Sequence, residues 1–360
     1  MTRARLSAVG AKRWARDWIN YPAARRRLMQ AEGDRPILIT GHARSGTTWF
    51  GHMLHSQEMR HYHEPFGHYT ALHCPRLAEQ RSGLDTAGAE AVAQRMMAGA
   101  DLSRLVPFSH KGNASPFHRL GPWRLFKHPF GRILIKDPTA VLLSKWLAEN
   151  FDAVVVAVFR HPCGVVDSLK RLKWDGRQTV ERLSNCPEIM ALGLHPYAKL
   201  LKKVDNMGYI EQLAVRCAAI NRILWNFVEN DPSYIFCNYD EYCIGPFIRF
   251  KKLDERLGIR PDPALRRKRQ ILVSTQKKYY NPHDVARESA IIHHRWKRNL
   301  SRDERIRIRD IWMAFDLPLF WDIDQWISEQ QTEILGLQQT PTPAFRQTPI
   351  GSTLKKEQNP

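Results

Sequence analysis

The residues best suited to chemistry lie in a glycine-rich stretch early in the chain. Gly41 and Gly46 have the G-x-x-x-x-G spacing of a phosphate-binding loop; the apolar run 36–40 precedes them and residues with helical spacing follow. A turn of this kind between a strand and a helix directs backbone N–H groups and the positive end of the helix dipole at one point. The sequence therefore predicts an anion site at residues 41–48.

The side chains of this loop suggest which anion it binds. A nucleotide-triphosphate enzyme carries lysine directly after the second glycine, but this chain has Thr47 there. The cation is instead Arg44, and hydroxyl groups come from Ser45, Thr47 and Thr48. We expect a phosphate site without a dedicated γ-phosphate lysine; the alternative is a strand-to-helix turn that binds no ligand.

A second candidate anion site follows the apolar run 153–159. Arg160 stands at the expected end of that strand and offers a guanidinium fork, and Ser168 lies within the helix predicted to start near Pro162. Taken alone, Arg160 could be a surface ion-pair partner and Ser168 an ordinary helix hydroxyl. Their spacing after a strand, with a phosphate-binding loop upstream, favours a second phosphate contact.

Together these segments resemble the sulfotransferases that use 3′-phosphoadenosine 5′-phosphosulfate (PAPS). The first segment is similar to the family's 5′-phosphosulfate loop: Arg44-Ser45-Gly46-Thr47-Thr48-Trp49. Arg160 and Ser168 occupy the two characteristic positions of the strand and helix that hold the donor's 3′-phosphate. Two weaker similarities are 238–242 and 295–300, and the latter resembles a carbohydrate-type element that closes over the nucleotide, which implies that Lys297 and Arg298 bind it.

This resemblance implies a reaction and a set of catalytic residues. A sulfuryl group would pass from PAPS to a hydroxyl of a glycan, glycolipid or small molecule, leaving 3′,5′-ADP, with no metal required. Arg44 would stabilise the leaving phosphate, and Lys136 could touch the transferring group, although a plain surface lysine is an alternative. Glu64 lies where carbohydrate-type enzymes place a carboxylate base; His63 and Asp137 are substitutes, and a capping or salt-bridged role for Glu64 stays open.

One departure points away from the cytosolic aryl and steroid enzymes. Those proteins carry a histidine-containing segment before the 3′-phosphate strand, whereas this chain reads Lys136-Asp137-Pro138 there. We therefore expect a closer relation to the carbohydrate type.

The pattern of apolar segments predicts an α/β fold, a P-loop-like domain with a central parallel sheet flanked by helices. Strands expected at 36–40, 132–136, 153–159 and 234–237 alternate with helices. One predicted helix follows residue 48 directly, and the others lie near 139–150, 162–172, 209–228, 246–257 and 303–314. We expect a basic helical lead-in over 1–35, a transferase domain over 36–335 with an acceptor-site insertion at 67–131, and a disordered tail over 336–360.

Composition limits the class of protein and of partner. The 360 residues include 55 Lys and Arg against 36 Asp and Glu, a formal charge of +19, and 43% are hydrophobic, which excludes disorder for most of the chain. No signal peptide, membrane-spanning run or CxxC pair is visible, so we expect a soluble, cytoplasmic protein that binds an anionic ligand and no nucleic acid, with peripheral membrane contact possible. Two alternatives stay open: a P-loop kinase or NTPase, and a non-catalytic polyanion-binding protein using the basic runs 266–269 and 295–298.

Overall fold

Six strands form one sheet in the described part of the chain. The computed structural model describes residues 35–57, 59–80, 83–97, 105–106, 132–275, 285–286, 288–319 and 321. The strand order is β3-β2-β4-β1-β5-β6, and only the pairing of β3 with β2 is antiparallel. The strands are β1 Ile37–Thr40, β2 Arg60–His63, β3 Leu105–Val106, β4 Ile133–Lys136, β5 Val154–Phe159 and β6 Tyr234–Asn238.

Helices cover both faces of this sheet, which confirms the predicted α/β fold with a central parallel sheet. The described helices are α1 Thr47–Leu54, α2 Pro75–Glu79, α3 Thr86–Met97, α4 Ser144–Phe151, α5 Pro162–Arg171, α6 Arg177–Ser184, α7 Pro187–Met190, α8 Ala198–Leu201, α9 Tyr209–Asn230, α10 Tyr239–Ile244, α11 Pro246–Leu257, α12 Pro263–Ser274, α13 Ser289–Ile292, α14 Trp296–Asn299 and α15 Arg302–Met313. None of these described helices is both long and apolar enough to cross a membrane.

The parallel strands are apolar along their length because both of their faces are buried. In β5, Val155 and Ala157 contribute to one hydrophobic core, and Val156 and Val158 contribute to the other. The first core also contains the buried faces of α5, α9 and α15, and the second contains those of α1, α11 and α12. The continuous apolar run 153–159 thus forms a strand buried on both sides.

Local signals set the helix ends. Pro162 starts α5, where its missing N–H and fixed φ suit a first turn. Ser301 and Glu304 form a capping box at α15, each side chain bonding the other's backbone N–H. Gly258, at φ 66°, ends α11 in the left-handed conformation that glycine adopts without steric cost.

The sheet topology brings the candidate site residues to one edge. Because β2, β4, β1, β5 and β6 are parallel, their carboxyl ends lie at the same side of the sheet. The central strand β1 pairs with β4 on one side and β5 on the other, which is the topological switch point where open α/β sheets bind ligands. The phosphate-binding loop follows β1 directly.

The structure differs from the sequence predictions in several places. Residues 60–63, for which no strand was predicted, form β2, and the described part of the insertion 67–131 contains α2, α3 and β3. The helix predicted at 139–150 is a 3₁₀ turn, Pro138–Val141, followed by α4. The predictions for residues 1–34, 98–104, 107–131 and 336–360 lie outside the described residues.

Candidate functional site

The predicted phosphate-binding loop ends at an open helix N-terminus. Arg44 and Gly46 take positive φ values of 75° and 96°, and the Ser45 N–H donates to the His42 carbonyl at 2.9 Å. Within the described residues, α1 has no side-chain cap and no acidic residue in its first turn. Its first N–H groups and the helix dipole therefore favour an anion at this end.

Gly46 is required by its neighbour as well as by its backbone conformation. A Cβ at this position would lie 2.2 Å from Cδ2 of Tyr239, the first residue of α10. Real Cβ atoms do not approach that closely, so the loop can pass the tyrosine ring only with glycine here. Tyr239 follows β6, and the loop is thus packed against the carboxyl end of a strand that lies two positions from β1 in the sheet.

The two predicted phosphate segments are in direct contact. Arg44 Nε donates to Ser168 Oγ at 3.0 Å, and Arg160 Nη1 donates to the Arg44 carbonyl at 3.0 Å. Ser168 is buried on α5, and Arg160 stands at the end of β5. Three residues singled out from separate motifs therefore form one hydrogen-bonded group at the carboxyl edge of the sheet.

Two buried polar atoms beside this group have no hydrogen-bond partner among the described residues. Ser45 Oγ and Arg160 Nε are buried and accept or donate no hydrogen bond within the part of the chain that the structure describes. An unsatisfied buried polar atom costs about 1–3 kcal/mol, so such atoms are normally satisfied by a ligand, an ion or water. The donor set, a guanidinium, a hydroxyl and backbone amides, fits a phosphate or sulfate group.

The Arg160 side chain packs against the Tyr239 ring and Gly164. Its Cζ lies 5.0 Å from the centroid of the Tyr239 ring, and a Cβ added at Gly164 would be 2.9 Å from its Nε. The adjacent His161 N–H donates to the Asp240 carboxylate at 2.7 Å. Burial raises the pKa of Asp240, and the Arg160 charge opposes that rise. These contacts fix the guanidinium above the first turn of α5.

Helix α14, within the element 295–300, packs against His161, the residue after Arg160. Trp296 stacks on His161 with ring centroids 4.2 Å apart, and Asn299 donates to Asp167 of α5 at 2.9 Å. Burial lowers the pKa of His161, and Lys297 lowers it further. Lys297 Nζ lies 5.8 Å from the centroid of the Trp296 ring that stacks on His161. The structure thus brings Lys297 towards Arg160, whereas Arg298 is exposed at the surface.

One further arginine, Arg171, joins this cationic region and was missed from the sequence. Burial lowers the pKa of Arg171, and the nearby Arg295 and Arg160 lower it further. Arg171 also contacts the carboxylate of Asp167 at 3.3 Å. A signal was available, because Arg171 follows Ser168 by three residues and so lies on the same helix face.

The predicted catalytic residues Glu64 and Lys136 form an ion pair. Lys136 Nζ donates to Glu64 Oε1 at 2.5 Å and lies 3.3 Å from His63 Nε2. The Lys136 side chain is 1% exposed and that of Glu64 is 39% exposed, so the carboxylate is the member of the pair that faces solvent. The salt-bridged role that the sequence left open for Glu64 is present in the structure.

Register and backbone conformation create this pair. His63 of β2 aligns with Lys136 of β4 at the carboxyl ends of the two strands. Glu64 then adopts a left-handed conformation, φ 50°, and its N–H donates to the Lys136 carbonyl at 2.7 Å. The turn directs the chain away from β4 and places the Glu64 carboxylate beside the lysine.

The charges of the pair support each other. Burial alone would raise the pKa of Glu64, but the Lys136 ammonium holds it below its ordinary value. Burial lowers the pKa of Lys136, and Glu64 opposes that change, while Arg44 contributes a small further lowering. Glu64 is therefore ionised at neutral pH, and the Lys136 side chain lies within the electrostatic reach of the phosphate-binding loop.

Asp137, considered above as a substitute base, is held by the backbone. Its carboxylate accepts hydrogen bonds from Phe66 N–H at 2.7 Å and from Thr139 N–H at 2.9 Å and Oγ1 at 2.7 Å. The side chain is 0% exposed, and burial raises its pKa. The hydrogen bonds of Asp137 therefore fix the chain at Phe66 and Thr139, and its carboxylate is buried away from solvent.

The remaining candidate residues, Thr47, Thr48 and Trp49, lie in the first turn of α1. Thr47 is buried and Thr48 is half-buried at the first turn of α1. The Trp49 ring is 2% exposed and packs against Tyr239 and Phe250. A ligand could therefore contact the N–H groups of Trp49 but not the face of its ring. Among the described residues, no cluster of His, Cys, Asp and Glu side chains is arranged to hold a metal ion.

No family model and no curated protein matches this chain. Similar solved structures include the sulfotransferase domain of the Synechococcus olefin synthase (14% identity, 81% of this chain and 98% of that chain, TM-score 0.37). Others are the sulfotransferase domain of the curacin biosynthetic pathway (13%, 79% and 98%, 0.40) and a sulfotransferase of Mycobacterium avium (12%, 83% and 82%, 0.35). Assignment of function therefore depends on the residues of this chain.

Proposed function

We propose that this protein transfers a sulfuryl group from PAPS to a hydroxyl of a glycan, glycolipid or small-molecule acceptor. The observation that carries the proposal is the hydrogen-bonded group of Arg44, Arg160 and Ser168 at the N-terminal end of α1. It joins an anion-binding loop without a γ-phosphate lysine to a second set of anion-binding donors. A nucleotide with phosphates at both its 5′ and 3′ positions has the charges that such a divided site requires.

The donor side of the site would be held by groups already described. The α1 amides, Ser45 and Arg44 would bind the 5′-phosphosulfate, and Arg160 and Ser168 the 3′-phosphate. Ser168 can donate its own hydroxyl hydrogen while it accepts from Arg44, and Arg160 has donors besides the one bonded to the Arg44 carbonyl. Lys297 would add positive charge to the same region, and Arg298 would add it from the surface.

Bound PAPS supplies an activated sulfuryl group with a phosphate as its leaving group. Transfer of such a group resembles phosphoryl transfer, in which positioning and electrostatic stabilisation dominate over covalent steps. Arg44 and Lys136 would stabilise the negative charge that develops on the transferring and leaving oxygens. Glu64 would accept the proton of the acceptor hydroxyl, which becomes strongly acidic only as its bond to sulfur forms.

The low pKa of Glu64 is compatible with this role. A carboxylate held below its ordinary pKa is a weak base towards a free alcohol, but it remains ionised and accepts a hydrogen bond throughout the physiological range. The Lys136 ammonium orients it and is buried beneath it. The pair can therefore position the hydroxyl before transfer and receive its proton late in the reaction.

The alternative functions have less support in the structure. A kinase or NTPase would be expected to have lysine where Thr47 stands. A polyanion-binding surface would use the run 266–269, but Lys268 and Arg269 are buried, and Arg269 is paired with Asp254 at 2.6 Å. That run is therefore in large part a structural element of α12.

Calorimetric titration with 3′,5′-ADP, and separately with ATP and Mg²⁺, tests the proposal. We expect the wild-type protein to bind 3′,5′-ADP and to prefer it to ATP. Arg160→Ala should weaken 3′,5′-ADP binding by at least about 10-fold, because a charge-assisted hydrogen bond contributes about 1.5–3 kcal/mol.

Arg260→Ala is a matched control, because this exposed arginine follows α11 and lies outside the site. It should leave the affinity unchanged. Preference for ATP with Mg²⁺ would support the kinase class instead, and absence of nucleotide binding would reject the proposed transferase.

A further inference from the structure

Three large apolar side chains are exposed together where α10 meets α11. Ile244 is 60% exposed, Phe247 52% and Ile248 70%. In the described part of the chain, the other exposed large apolar residues are Trp174, Tyr209 and Met313, and the first two each offer a polar group to water. Phenylalanine and isoleucine have no such group. Ile244, Phe247 and Ile248 therefore form an exposed apolar patch of the kind that marks an interaction site.

The patch continues into a pair of lysines on the same helix face. On α11, Phe247, Ile248, Lys251 and Lys252 fall at positions i, i+1, i+4 and i+5, and all are exposed. The opposite face of α11 packs into the core through Phe250, Leu253 and Leu257. The helix is therefore anchored on one side and presents apolar and basic side chains on the other.

The charge of this outer face is positive. Glu255 is its exposed acid, next to the exposed Arg256, and Asp254 is buried in its ion pair with Arg269. The Arg249 side chain is paired with Glu241 at 2.5 Å. Lys251 and Lys252 thus add their charge to a chain whose formal charge is +19.

We propose that this face docks on an anionic phospholipid surface. We call it the lipid-facing surface and define it by Ile244, Phe247, Ile248, Lys251 and Lys252. Bulky apolar side chains beside lysines are typical of helices that lie in the headgroup region of a bilayer. A protein partner is less well matched, because the centres of protein interfaces are depleted in lysine.

The lipid-facing surface lies close to the proposed site. Tyr239, which packs against Gly46 and Arg160, is the first residue of α10, and Ile244 is the last. At 1.5 Å per residue, the two ends of this helix are about 8 Å apart along its axis. Docking would therefore hold the phosphate-binding loop near the headgroups, although the surface itself does not depend on the proposed activity.

Co-sedimentation of the full chain with vesicles tests the proposal. Vesicles of phosphatidylcholine mixed with phosphatidylglycerol should bind the protein, and vesicles of phosphatidylcholine alone should bind it much less. Phe247→Ser combined with Ile248→Ser should weaken binding to the mixed vesicles by about 10-fold or more, because two apolar anchors are lost. Lys251→Glu combined with Lys252→Glu should weaken it by about 10-fold or more and reduce its dependence on salt.

Two matched variants separate the surface from general effects. Met313→Ser removes an exposed apolar side chain elsewhere, and Lys202→Glu combined with Lys203→Glu reverses an exposed lysine pair elsewhere. Both should bind vesicles as the wild type does, and thermal unfolding should show that all variants fold.

Three results would overturn the proposal. The first is that the wild-type protein does not bind vesicles. The second is that the two control variants lose as much binding as the variants of the lipid-facing surface. The third is that the wild-type protein binds equally well to vesicles with and without phosphatidylglycerol. Sedimentation velocity would identify the competing occupant: self-association of the wild type, lost in the Phe247 and Ile248 variant without any vesicle binding, would assign the surface to a second copy of the chain.

Discussion

Glu64 and Lys136 are the pair on which the proposed proton transfer depends. Replacing Glu64 with glutamine keeps the size of the side chain but removes the proton acceptor and the countercharge of a buried ammonium. We predict that Glu64→Gln lowers kcat about 10²- to 10³-fold, while the affinity for 3′,5′-ADP stays near that of the wild type. Acceptor-dependent release of 3′,5′-ADP and calorimetric titration measure the two effects, after an acceptor has been found by screening hydroxylated compounds.

The pH dependence provides a second readout for the same residue. Glu64 must be ionised to accept a proton, and its pKa is held below the ordinary value by Lys136. Activity should therefore persist to a pH below the usual range for glutamate and fall only as the carboxylate becomes protonated. Glu149→Gln, which disrupts the exposed pair of Glu149 with Lys145, is the control. An unchanged kcat in Glu64→Gln would exclude this residue as the base and direct attention to His63.

Lys268, on α12, is a second buried ammonium, and the proposed reaction does not use it. Burial lowers its pKa from 10.5 to about 7, and Arg269 contributes to the lowering. The folded protein therefore holds fewer protons than the unfolded chain between pH 7 and 10.5, so stability rises with pH across that window. Below pH 7 the cost of the buried charge is fully present.

This cost predicts a pH-dependent stabilisation by Lys268→Met. The gain in free energy of unfolding should be about 3 kcal/mol larger at pH 6 than at pH 9.5, since each unit of pKa shift corresponds to about 1.4 kcal/mol. Urea unfolding at the two pH values measures it, and Lys202→Met at an exposed lysine should show no such difference. A destabilisation that is equal at both pH values would mean that Lys268 is stabilising in its charged form.

For individual residues, the sequence identified which side chains could bind an anion better than it identified which side chains contact each other. Arg44, Arg160 and Ser168 could be selected from motifs because strand-loop-helix spacing constrains where such residues stand. The pairing of Glu64 with Lys136 could not be predicted, since it depends on the register of β2 against β4, two segments separated by about seventy residues. Arg171 was overlooked because its carboxylate partner, Asp167, makes it resemble a solvated helix pair.

The loop that joins β1 to α1 is the element most sensitive to substitution. Gly46→Ala would force a Cβ into the Tyr239 ring and a non-glycine residue into φ 96°. We predict a loss of stability of about 2–4 kcal/mol and at least about 10-fold weaker binding of 3′,5′-ADP, measured by thermal unfolding and titration.

Gly258→Ala separates the backbone conformation from the steric contact. Gly258 also has a positive φ, 66°, but an added Cβ would meet nothing within 4 Å. This variant should lose only about 1 kcal/mol and bind 3′,5′-ADP normally. Normal nucleotide binding by Gly46→Ala would contradict the assignment of the loop to the phosphate site.

Among the strands, the four apolar ones β1, β4, β5 and β6 could be predicted, whereas the polar β2 and the two-residue β3 could not. The run 153–159 indicates a buried strand from composition alone, whereas β2 consists of Arg60, His61, Tyr62 and His63. Burial of β2 depends on long-range partners: Arg60 Nη1 donates to the Met96 carbonyl at 2.8 Å, and the His61 ring packs edge-on against His55 at 4.9 Å. No local pattern encodes such contacts.

At the scale of the whole molecule, the positive charge is divided among different tasks. Arg44 and Arg160 lie at the carboxyl edge of the sheet, Lys268 and Arg269 are buried within α12, and Lys251 and Lys252 are exposed on α11. The composition alone predicted an anionic partner and could not distinguish these groups. The fold thus separates the cationic group at the edge of the sheet from the exposed basic and apolar face of α11.

A crystal structure of the complex with 3′,5′-ADP would show directly whether the carboxyl edge of the sheet binds the nucleotide. We predict that the 5′-phosphate lies about 3 Å from the backbone amides that begin α1, and that the 3′-phosphate contacts Arg160 and Ser168. The same structure should leave Glu64 and Lys136 paired beside the position of the sulfuryl group. A nucleotide bound elsewhere, or bound with its 3′-phosphate away from Arg160 and Ser168, would contradict the assignment of this edge of the sheet to a PAPS site.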